Sequence, residues 1–195
     1  MEKSNLNIKR RKEFYLWELL KMLSRSIYMG VNTKESTTLI IPERSIKDVI
    51  FFLKNYTKSQ FKMLIDICGV DFINRKARFE IVYHLLSVHY NERISIKIST
   101  VEISSILSIN SIFPNADWYE REIWDLYGIY FGGHKDLRRI LTDYGFEGHP
   151  LRKDYPLSGF FELRYDEKTK QVISERIELT QKTRFFNYNY NRINN

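Results

Sequence analysis

The 195-residue chain contains 31 Lys and Arg against 24 Asp and Glu, and 43% of its residues are hydrophobic. This length suits one ordinary domain plus an appendage, and the apolar content excludes a disordered chain. The single cysteine, Cys68, excludes an intrachain disulfide and a conventional Fe–S or zinc site held by this chain alone. A net charge of +7 permits nucleic acid, anionic lipid or an acidic protein surface as partner and selects none of them.

No apolar run approaches the roughly 20 residues of a membrane-spanning helix, so the sequence predicts no transmembrane span. The N-terminus lacks the apolar core of a signal peptide, and Glu2, Glu13 and Glu18 argue against an acid-poor transit peptide. We therefore expect a protein made where it works, or one whose presequence has been removed. The frequent use of Asn, Ile, Lys, Phe and Tyr is typical of AT-rich organellar genomes.

The N-terminal third alternates between helical and strand patterns. Apolar residues at helical spacing predict an amphipathic helix over residues 13–27, which Gly30 would end, and a short strand is predicted over residues 37–41. Ser45 and Asp48 are spaced as a capping-box variant before a second helical pattern. The predicted order in this part of the chain is helix, strand, turn and helix.

Three extended segments follow, Phe61 to Phe72, Phe79 to Tyr90 and Arg93 to Val101. The last alternates between Ile and polar residues, as a strand with one buried face does, and the middle one is apolar on both faces and is expected inside the sheet. Because the breaks between them are short, antiparallel hairpins are favoured over helical crossovers. The predicted fold class is α+β, a mixed, mainly antiparallel sheet flanked by helices.

A further short helix is predicted from Asp117 to about Tyr127, with Asp117 and Glu120 as a second capping-box variant, Arg121 and Asp125 as an i, i+4 pair, and Gly128 at its exit. Beyond it, Gly and Pro interrupt a long irregular stretch, and such stretches are usually functional or bound to something. We therefore divide the chain into an α+β domain, 1–127, and an extended partner-wrapping segment, 128–195.

The end of the predicted helix and the stretch after it contain a motif of fixed residues at fixed gaps. Its members are Glu120, Arg121, Glu122, Asp125, Gly128, Phe131, His134, Leu137, Arg138, Arg139, Asp143, Phe146, Gly148, His149, Pro150, Arg152, Lys153, Asp154 and Pro156. This motif resembles the signature of the 30-kDa, C-type subunit of respiratory complex I. The order of elements upstream is compatible with that family, and Gln181 to Phe186 is similar to its C-terminal Q-x-x-R-x-F. The Asn187 to Asn195 ending departs from the family.

The chemistry of the motif favours an interface over a catalytic centre. His134 and His149 could offer metal ligands with the nearby aspartates, but their spacing matches no recognised pattern, and hydrogen bonds between the histidines and carboxylates are favoured. Glu120 and Glu122 point in different directions on a helix and cannot act as an acid/base pair, so helix N-terminal charge stabilisation is the simpler role for Glu120.

The remaining charges and rings also suit a contact surface. Arg138-Arg139 and Arg152-Lys153, set against Asp143 and Asp154, suit charge-assisted hydrogen bonds that orient an extended chain on a partner, with solvated charges as the alternative. Aromatic residues interleave these charges, as in interface hot spots. Nucleic acid is disfavoured because acidic residues interrupt the basic and aromatic C-terminal run and no nucleic-acid-binding motif accompanies it.

The resemblance implies a non-catalytic core subunit of the peripheral arm of the proton-pumping NADH:ubiquinone oxidoreductase, on the matrix side of the mitochondrial inner membrane. It implies a scaffold for the 49-kDa-type quinone-site subunit, near the Fe–S subunits, with no transmembrane span and no nucleic acid. FMN, Fe–S clusters and ubiquinone would be bound by partner subunits, and this chain would hold no cofactor or metal. Alternatives are a plastid ferredoxin:plastoquinone relative, a bacterial complex, or a free-standing RNA- or ribosome-associated protein.

Overall fold

The computed structural model describes residues 15–32, 37–181 and 184. The basic run at 9–12, the start of the predicted first helix at 13–14, Phe186 of the C-terminal pattern and the ending 187–195 lie outside the described residues. Within the chain, contacts separate a unit that ends at Tyr155 from one that begins at Pro156. Each unit is described by itself.

The first unit is built on a five-stranded sheet. In chain order its strands are β1 (Met29–Asn32), β2 (Thr37–Ile40), β3 (Met63–Asp71), β4 (Phe79–Ser87) and β5 (Glu92–Thr100). Their spatial order is β1-β2-β5-β4-β3, with only the β2–β5 pair parallel. The predicted mixed, mainly antiparallel sheet is confirmed, and the strand that is apolar on both faces, β4, is an interior strand.

In the described part of the chain, three helices and alternate residues of the strands form one core. The helices are α1 (residues 15–22), α2 (Ile46–Asn55), which follows a 3-10 turn at Glu43–Ser45, and α3 (Ala116–Tyr127). Their buried apolar side chains join those of β4 and β5 in a single cluster. In β5 the members of this cluster are Ile94, Ile96 and Ile98, the alternating set that the sequence predicts. The α+β fold class is therefore confirmed.

Helix α3 packs along β3, the edge strand of the sheet. The Asn115 side-chain amide donates to the Leu64 carbonyl at 3.0 Å, and the Tyr119 hydroxyl donates to the Ile65 carbonyl at 3.0 Å. Gly69 leaves room for the Tyr127 ring, since a Cβ there would lie 2.8 Å from a ring carbon. These contacts cover an edge that would otherwise present unpaired backbone groups, and they fix α3 where the motif begins.

The predicted helix caps are wrong at the N-termini and right at one C-terminus. Ser45, before α2, makes no side-chain cap hydrogen bond. Asp117, the predicted cap of α3, lies inside the helix, and Asn115, which precedes the helix, makes no side-chain cap hydrogen bond either. Ser45 belongs to the preceding 3-10 turn, and the Asn115 amide is directed to β3. At the other end of α3, Gly128 adopts a left-handed conformation with φ of 76° and closes the helix, as predicted.

Two short strands lead into the irregular part of the first unit. Strand β6 (Ser105–Leu107) pairs in parallel with β7 (Tyr130–Gly132). Residues 133–155, here named the strap, then contain neither helix nor strand. In the part of the chain that the structure describes, no helix is long and apolar enough to cross a membrane.

The second unit contains a hairpin formed by β8 (Phe161–Asp166) and β9 (Gln171–Arg176). The division between units at Tyr155 and Pro156 lies after the strap, whereas the domain boundary predicted from the sequence is at 127/128. The strap belongs to the first unit because side chains of β3 and α3 bind it directly.

Candidate functional site: the anchored strap

Asp125, on the last turn of α3, anchors the first half of the strap. Its buried carboxylate accepts hydrogen bonds from three backbone N–H groups, those of Ile140, Leu141 and Thr142, at 2.8–3.2 Å. It also accepts the Thr142 hydroxyl at 2.7 Å and the Arg139 guanidinium at 3.2 Å. Burial alone would raise the pKa of Asp125, but these hydrogen bonds outweigh it and hold the pKa below its usual range.

The second half of the strap caps the C-terminal end of α3. Three strap donors reach the last helix carbonyls: His149 Nδ1 to Asp125 at 2.8 Å, the Leu151 N–H to Leu126 at 3.1 Å, and Arg152 Nε to Tyr127 at 2.7 Å. The Gly128 N–H satisfies the carbonyl of Trp124 at 2.9 Å. A helix leaves its last four carbonyls without partners, and here all four are occupied.

Gly128 is required by this cap as well as by its positive φ. A Cβ at position 128 would lie 2.5 Å from Arg152 Nη2 and 2.6 Å from His149 Nε2. Because a carbonyl accepts its Nδ1 hydrogen bond, His149 carries a proton on Nδ1. Burial, with the nearby charges of Arg152 and Arg139, lowers the pKa of His149, so the ring is neutral at neutral pH. Arg152 also forms an ion pair with Glu102.

The end of the strap is tied to the sheet by Arg78 and Asp71. Arg78 binds the buried Asp71 carboxylate through Nε and Nη2, both at 2.8 Å, and binds Asp154 of the strap at 2.7 Å and 3.2 Å. Asp71 also accepts the backbone N–H of Lys153 at 2.8 Å. The hydrogen bonds from Arg78 hold the pKa of Asp71 below its usual range.

Glu120 joins α3 to the residues that follow β6, and His134 joins α3 to the start of the strap. Glu120 is fully buried and accepts the Ser108 hydroxyl at 2.5 Å and the Ile109 N–H at 2.7 Å. His134 Nε2 lies 3.3 Å from an Asp117 carboxylate oxygen and 3.7 Å from one of Glu120. Burial raises the pKa of Glu120 above its ordinary value. Glu120 thus acts as an internal tie, not as the N-terminal capping residue that the sequence suggests.

The predicted motif residues are spread from the core to the surface. Those buried are Glu120, Arg121, Asp125 and Phe131. Those half-buried are Gly128, His134, Leu137, Arg139, Phe146, His149, Pro150 and Arg152. Those exposed are Glu122, Arg138, Asp143, Gly148, Lys153, Asp154 and Pro156. Their predicted role at an interface with another protein stays a prediction.

Several predicted charge pairs are replaced by others. Arg121 approaches Asp117 at 4.0 Å and donates to the Arg138 carbonyl at 3.3 Å, whereas its predicted partner Asp125 faces the strap. Asp143 accepts the N–H of its neighbour Tyr144 and has no ion pair among the described residues. These differences arise because the buried carboxylate of Asp125 requires several donors, which the strap supplies.

Sequence reasoning missed the acceptors and donors outside the motif. Asp71, Arg78, Glu102 and Ser108 belong to strands and turns far from the strap in sequence, and Lys153 and Asp71 are 82 positions apart. Only Asp71 carries a local signal, an acidic residue ending an apolar strand. The partner of such a residue cannot be identified from neighbouring sequence.

The polar groups of the site bind one another. Within residues 15–32, 37–181 and 184, no group of three or more His, Cys, Asp or Glu side chains is placed to hold a metal ion. The fold and the site together define a structural class, an α+β domain that fastens an irregular strap with its own buried carboxylates.

Comparison with known families supplies the particular identity. Residues 39–161 match the family model described as respiratory-chain NADH dehydrogenase, 30 Kd subunit. The chain belongs to this family, as the motif predicts, and is thereby a subunit of a respiratory enzyme complex.

Individual relatives agree with the family. The chain is 50% identical to NADH-ubiquinone oxidoreductase subunit 9 of Reclinomonas americana, over 91% of this chain and 86% of that protein. It is 50% identical to NADH dehydrogenase [ubiquinone] iron-sulfur protein 3 of Oryza sativa subsp. japonica, over 89% of this chain and 90% of that protein. A bacterial NADH-quinone oxidoreductase protein, from Paramagnetospirillum magneticum, is 49% identical over 81% of this chain and 79% of its own length.

A solved structure shares the fold. A chain in the structure of the membrane-bound sulfane sulfur reductase, an archaeal respiratory membrane complex, superposes with a TM-score of 0.64 and 25% identity. The match covers 75% of this chain and 86% of that chain.

Proposed function

We propose that this chain is a non-catalytic core subunit in the peripheral arm of the proton-pumping NADH:ubiquinone oxidoreductase, where it scaffolds the 49-kDa-type subunit of the quinone site. Membership of the family and the names of the relatives support the enzyme. The scaffolding role is supported by the surface of the second unit.

The β8–β9 hairpin presents an apolar face to solvent. Phe161, Leu163 and Tyr165 of β8 share this face with Val172 of β9, and each is 52–66% exposed. None of the described residues from Pro156 onward is buried. Because an isolated two-stranded hairpin is marginally stable in water, an exposed apolar face of this kind calls for a covering surface.

The strap displays apolar side chains in the same way. Leu141, Tyr144 and Leu151 are exposed, with Tyr144 fully so. The Leu141 N–H is hydrogen-bonded to Asp125 and the Leu151 N–H to α3, whereas the Tyr144 N–H bonds to its neighbour Asp143. Rigid, exposed aromatic and aliphatic residues are suited to an interface because little entropy is lost when they are covered. The strap therefore offers a preformed contact surface for the same partner.

We also propose that FMN, the Fe–S clusters and ubiquinone are bound by partner subunits. The single cysteine, Cys68, supports this for the clusters. The proposed location is the matrix side of the mitochondrial inner membrane, supported by relatives in eukaryotes such as Reclinomonas americana and Oryza sativa. Purification of the native assembly with an NADH-oxidising module separates this proposal from a plastid relative.

The test is co-purification with the 49-kDa-type subunit after co-expression. The double variant Leu163→Thr and Val172→Thr keeps strand propensity and removes apolar area from the exposed face, so recovery of the partner should fall at least tenfold. Glu162→Thr, on the opposite face of the same strand, is the matched control and should retain the partner. Equal recovery with the double variant and the control contradicts the scaffolding role of the hairpin.

Protease protection gives a second readout. The strap is bound by its own domain, so its protection should be similar with and without the partner. Residues 156–181 should become protected only when the 49-kDa-type subunit is present. Equal cleavage of residues 156–181 in both samples argues against wrapping.

A further inference from the structure

Two side-chain nitrogens at the C-terminal end of α3 have no hydrogen-bond partner among the described residues, Nη2 of Arg152 and Nε2 of His149. In Arg152, Nε donates to the Tyr127 carbonyl and Nη1 to Glu102, which leaves Nη2. In His149, Nδ1 is bonded to the Asp125 carbonyl, which leaves Nε2. Neither nitrogen is among the buried unpaired atoms of the described residues, so both are open to solvent.

The two nitrogens lie over Gly128. A Cβ on Gly128 would be 2.5 Å from Arg152 Nη2 and 2.6 Å from His149 Nε2, so both atoms lie on the side where glycine has no side chain. This places a donor beside an acceptor, because a guanidinium only donates and the unprotonated Nε2 only accepts. The other hydrogen bonds of the two side chains hold the pair in position, so little entropy is lost when a ligand binds.

The pair is surrounded by aromatic rings and an exposed apolar side chain. The centroid of the Trp124 ring lies 5.8 Å from that of His149 and 6.2 Å from that of Tyr130. Tyr130 and Leu151, which precedes Arg152, are both exposed. Polar groups bordered by exposed aromatic and aliphatic residues are typical of a protein interface. The surroundings therefore favour a group from another protein as the ligand.

Charge and geometry select the chemical class of that group. Glu102 already neutralises the charge of Arg152, and the lone pair of His149 Nε2 would repel a carboxylate. A backbone peptide is trans, so its N–H and C=O point in opposite directions. A side-chain carboxamide presents both on one side, as Asn and Gln do when they bind adenine. It can accept from Arg152 while it donates to His149.

We propose that Arg152 and His149 form a binding site for a side-chain carboxamide, that of an Asn or Gln in the 49-kDa-type subunit. The carboxamide oxygen accepts from Arg152 Nη2, and the carboxamide nitrogen donates to His149 Nε2. This inference rests on the proposed function, in which the strap contacts that subunit, and it names the chemical group that the strap recognises.

The central test is His149→Asn in the full chain, with the affinity for the purified 49-kDa-type subunit as readout. The Asn amide nitrogen takes the place of Nδ1 and can still donate to the Asp125 carbonyl, whereas nothing replaces Nε2. A carboxamide N–H left without an acceptor should weaken binding roughly five- to hundred-fold. The matched control is His89→Asn, at an exposed histidine between β4 and β5, which should bind as wild type does.

The pH dependence of binding identifies the class of ligand. Asp125, Arg139 and Arg152 face the His149 ring, and burial together with the two arginines lowers the pKa of His149. A carboxamide requires neutral His149. Wild-type affinity, relative to His149→Asn, should therefore be full above the ordinary His pKa of about 6.5 and fall as pH is lowered to about 4.5. A carboxylate ligand would instead bind more tightly as His149 gains a proton, and water alone would give no change.

The variant Arg152→Lys tests the other half of the site. Lysine keeps a positive charge beside Glu102 but has no second nitrogen for the carboxamide oxygen. Binding should weaken by at least about threefold, while the pH dependence that His149 gives should remain. If Arg152→Lys binds as tightly as wild type, Arg152 does not hold the ligand and the site is overturned.

The outcomes separate this site from the proposed function. If wild type does not bind the 49-kDa-type subunit, the proposed function and the carboxamide site both fail. If wild type binds and His149→Asn binds equally well, the carboxamide site alone is overturned. If His149→Asn lowers both affinity and melting temperature, the pH series decides. A ratio of wild-type to variant affinity that stays constant or rises as pH falls then overturns the carboxamide.

Discussion

Replacement of Asp125 by Asn is the most direct test of how the strap is held. The substitution keeps the shape of the side chain but removes the charge, and its amide nitrogen cannot accept hydrogen bonds. If the remaining oxygen keeps the three N–H donors of Ile140, Leu141 and Thr142, the amide nitrogen must face the Arg139 guanidinium, which can only donate. If the amide is turned the other way, its nitrogen faces the three backbone N–H groups instead. In either orientation the amide nitrogen, a donor, is placed against another donor.

The magnitude follows from the bonds that are lost. A hydrogen bond to a charged group contributes about 1.5–3 kcal/mol, and a buried donor without an acceptor costs about 1–3 kcal/mol. Since part of the network persists with Asn, we expect the strap to open more easily by about 2–3 kcal/mol. At 1.4 kcal/mol per tenfold change, this corresponds to a loss of roughly 30- to 150-fold in protection.

Native-state hydrogen exchange of the peptide that contains Ile140, Leu141 and Thr142 measures this protection. The matched control is Asp143→Asn, since Asp143 is exposed and accepts only the N–H of Tyr144 among the described hydrogen bonds. Amides of β4 and β5 should keep more of their protection than the strap does. If exchange of the 140–142 amides changes less than threefold, Asp125 is not the anchor of the strap.

Three further substitutions test other parts of the structure. Gly128→Ala should lower the free energy of unfolding in urea by at least about 2 kcal/mol. A left-handed backbone costs a residue other than glycine about 1–2 kcal/mol, and the new Cβ would collide with the side chains of Arg152 and His149. A loss under roughly 0.5 kcal/mol would contradict this geometry of the cap. The raised pKa of Glu120 means that its contribution to stability is complete below the unfolded value of about 4.3 and is lost as pH rises through the folded value. Glu120→Gln should therefore make the melting temperature depend less on pH above that value. If the melting temperature of the variant changes with pH as steeply as that of wild type, Glu120 is not the group responsible. The Tyr83 hydroxyl is buried with no hydrogen-bond partner among the described residues, so Tyr83→Phe should stabilise the protein by about 1 kcal/mol in calorimetry, whereas destabilisation would reveal a partner for that hydroxyl.

Acid should loosen the strap before it unfolds the helices. The pKa values of Asp71 and Asp125 are lowered in the folded protein, so their contributions are complete above the ordinary carboxyl pKa of about 3.9 and are lost as pH falls through the folded values. Cleavage of the strap by an acid-stable protease should increase in that range while the helical circular dichroism persists. Simultaneous loss of both signals would show that strap and core form one cooperative unit.

The elements that the sequence predicts correctly are those whose signal is local. In β5 and α2, the buried apolar residues recur with a period of two or of 3.6 residues: Ile94, Ile96 and Ile98 in β5, and Ile46, Val49, Ile50 and Leu53 in α2. The exit of α3 at Gly128 is predictable because a left-handed residue there favours glycine. Each of these inferences needs only a short window of sequence.

The features that the sequence does not predict depend on distant partners. Nothing local distinguishes Glu120 as a capping residue from Glu120 as a buried acceptor of Ser108 and Ile109. The parallel pairing of β2 with β5 likewise joins segments more than 50 positions apart, such as Leu39 and Ile96. In the strap, the charged residues are recognisable as a group, but their partners are not, because Arg78 and Asp71 lie on a different hairpin.

The long separation between the strap and its anchors has a consequence for biosynthesis. Lys153 and Asp154 bond to residues 82 and 76 positions earlier, so the strap can close only after β3, β4 and α3 have assembled. On the ribosome these elements emerge first, and the strap is then added to an existing surface. A partner that binds the closed strap would thus recognise only chains whose domain has already folded, and assembly itself would exclude misfolded copies.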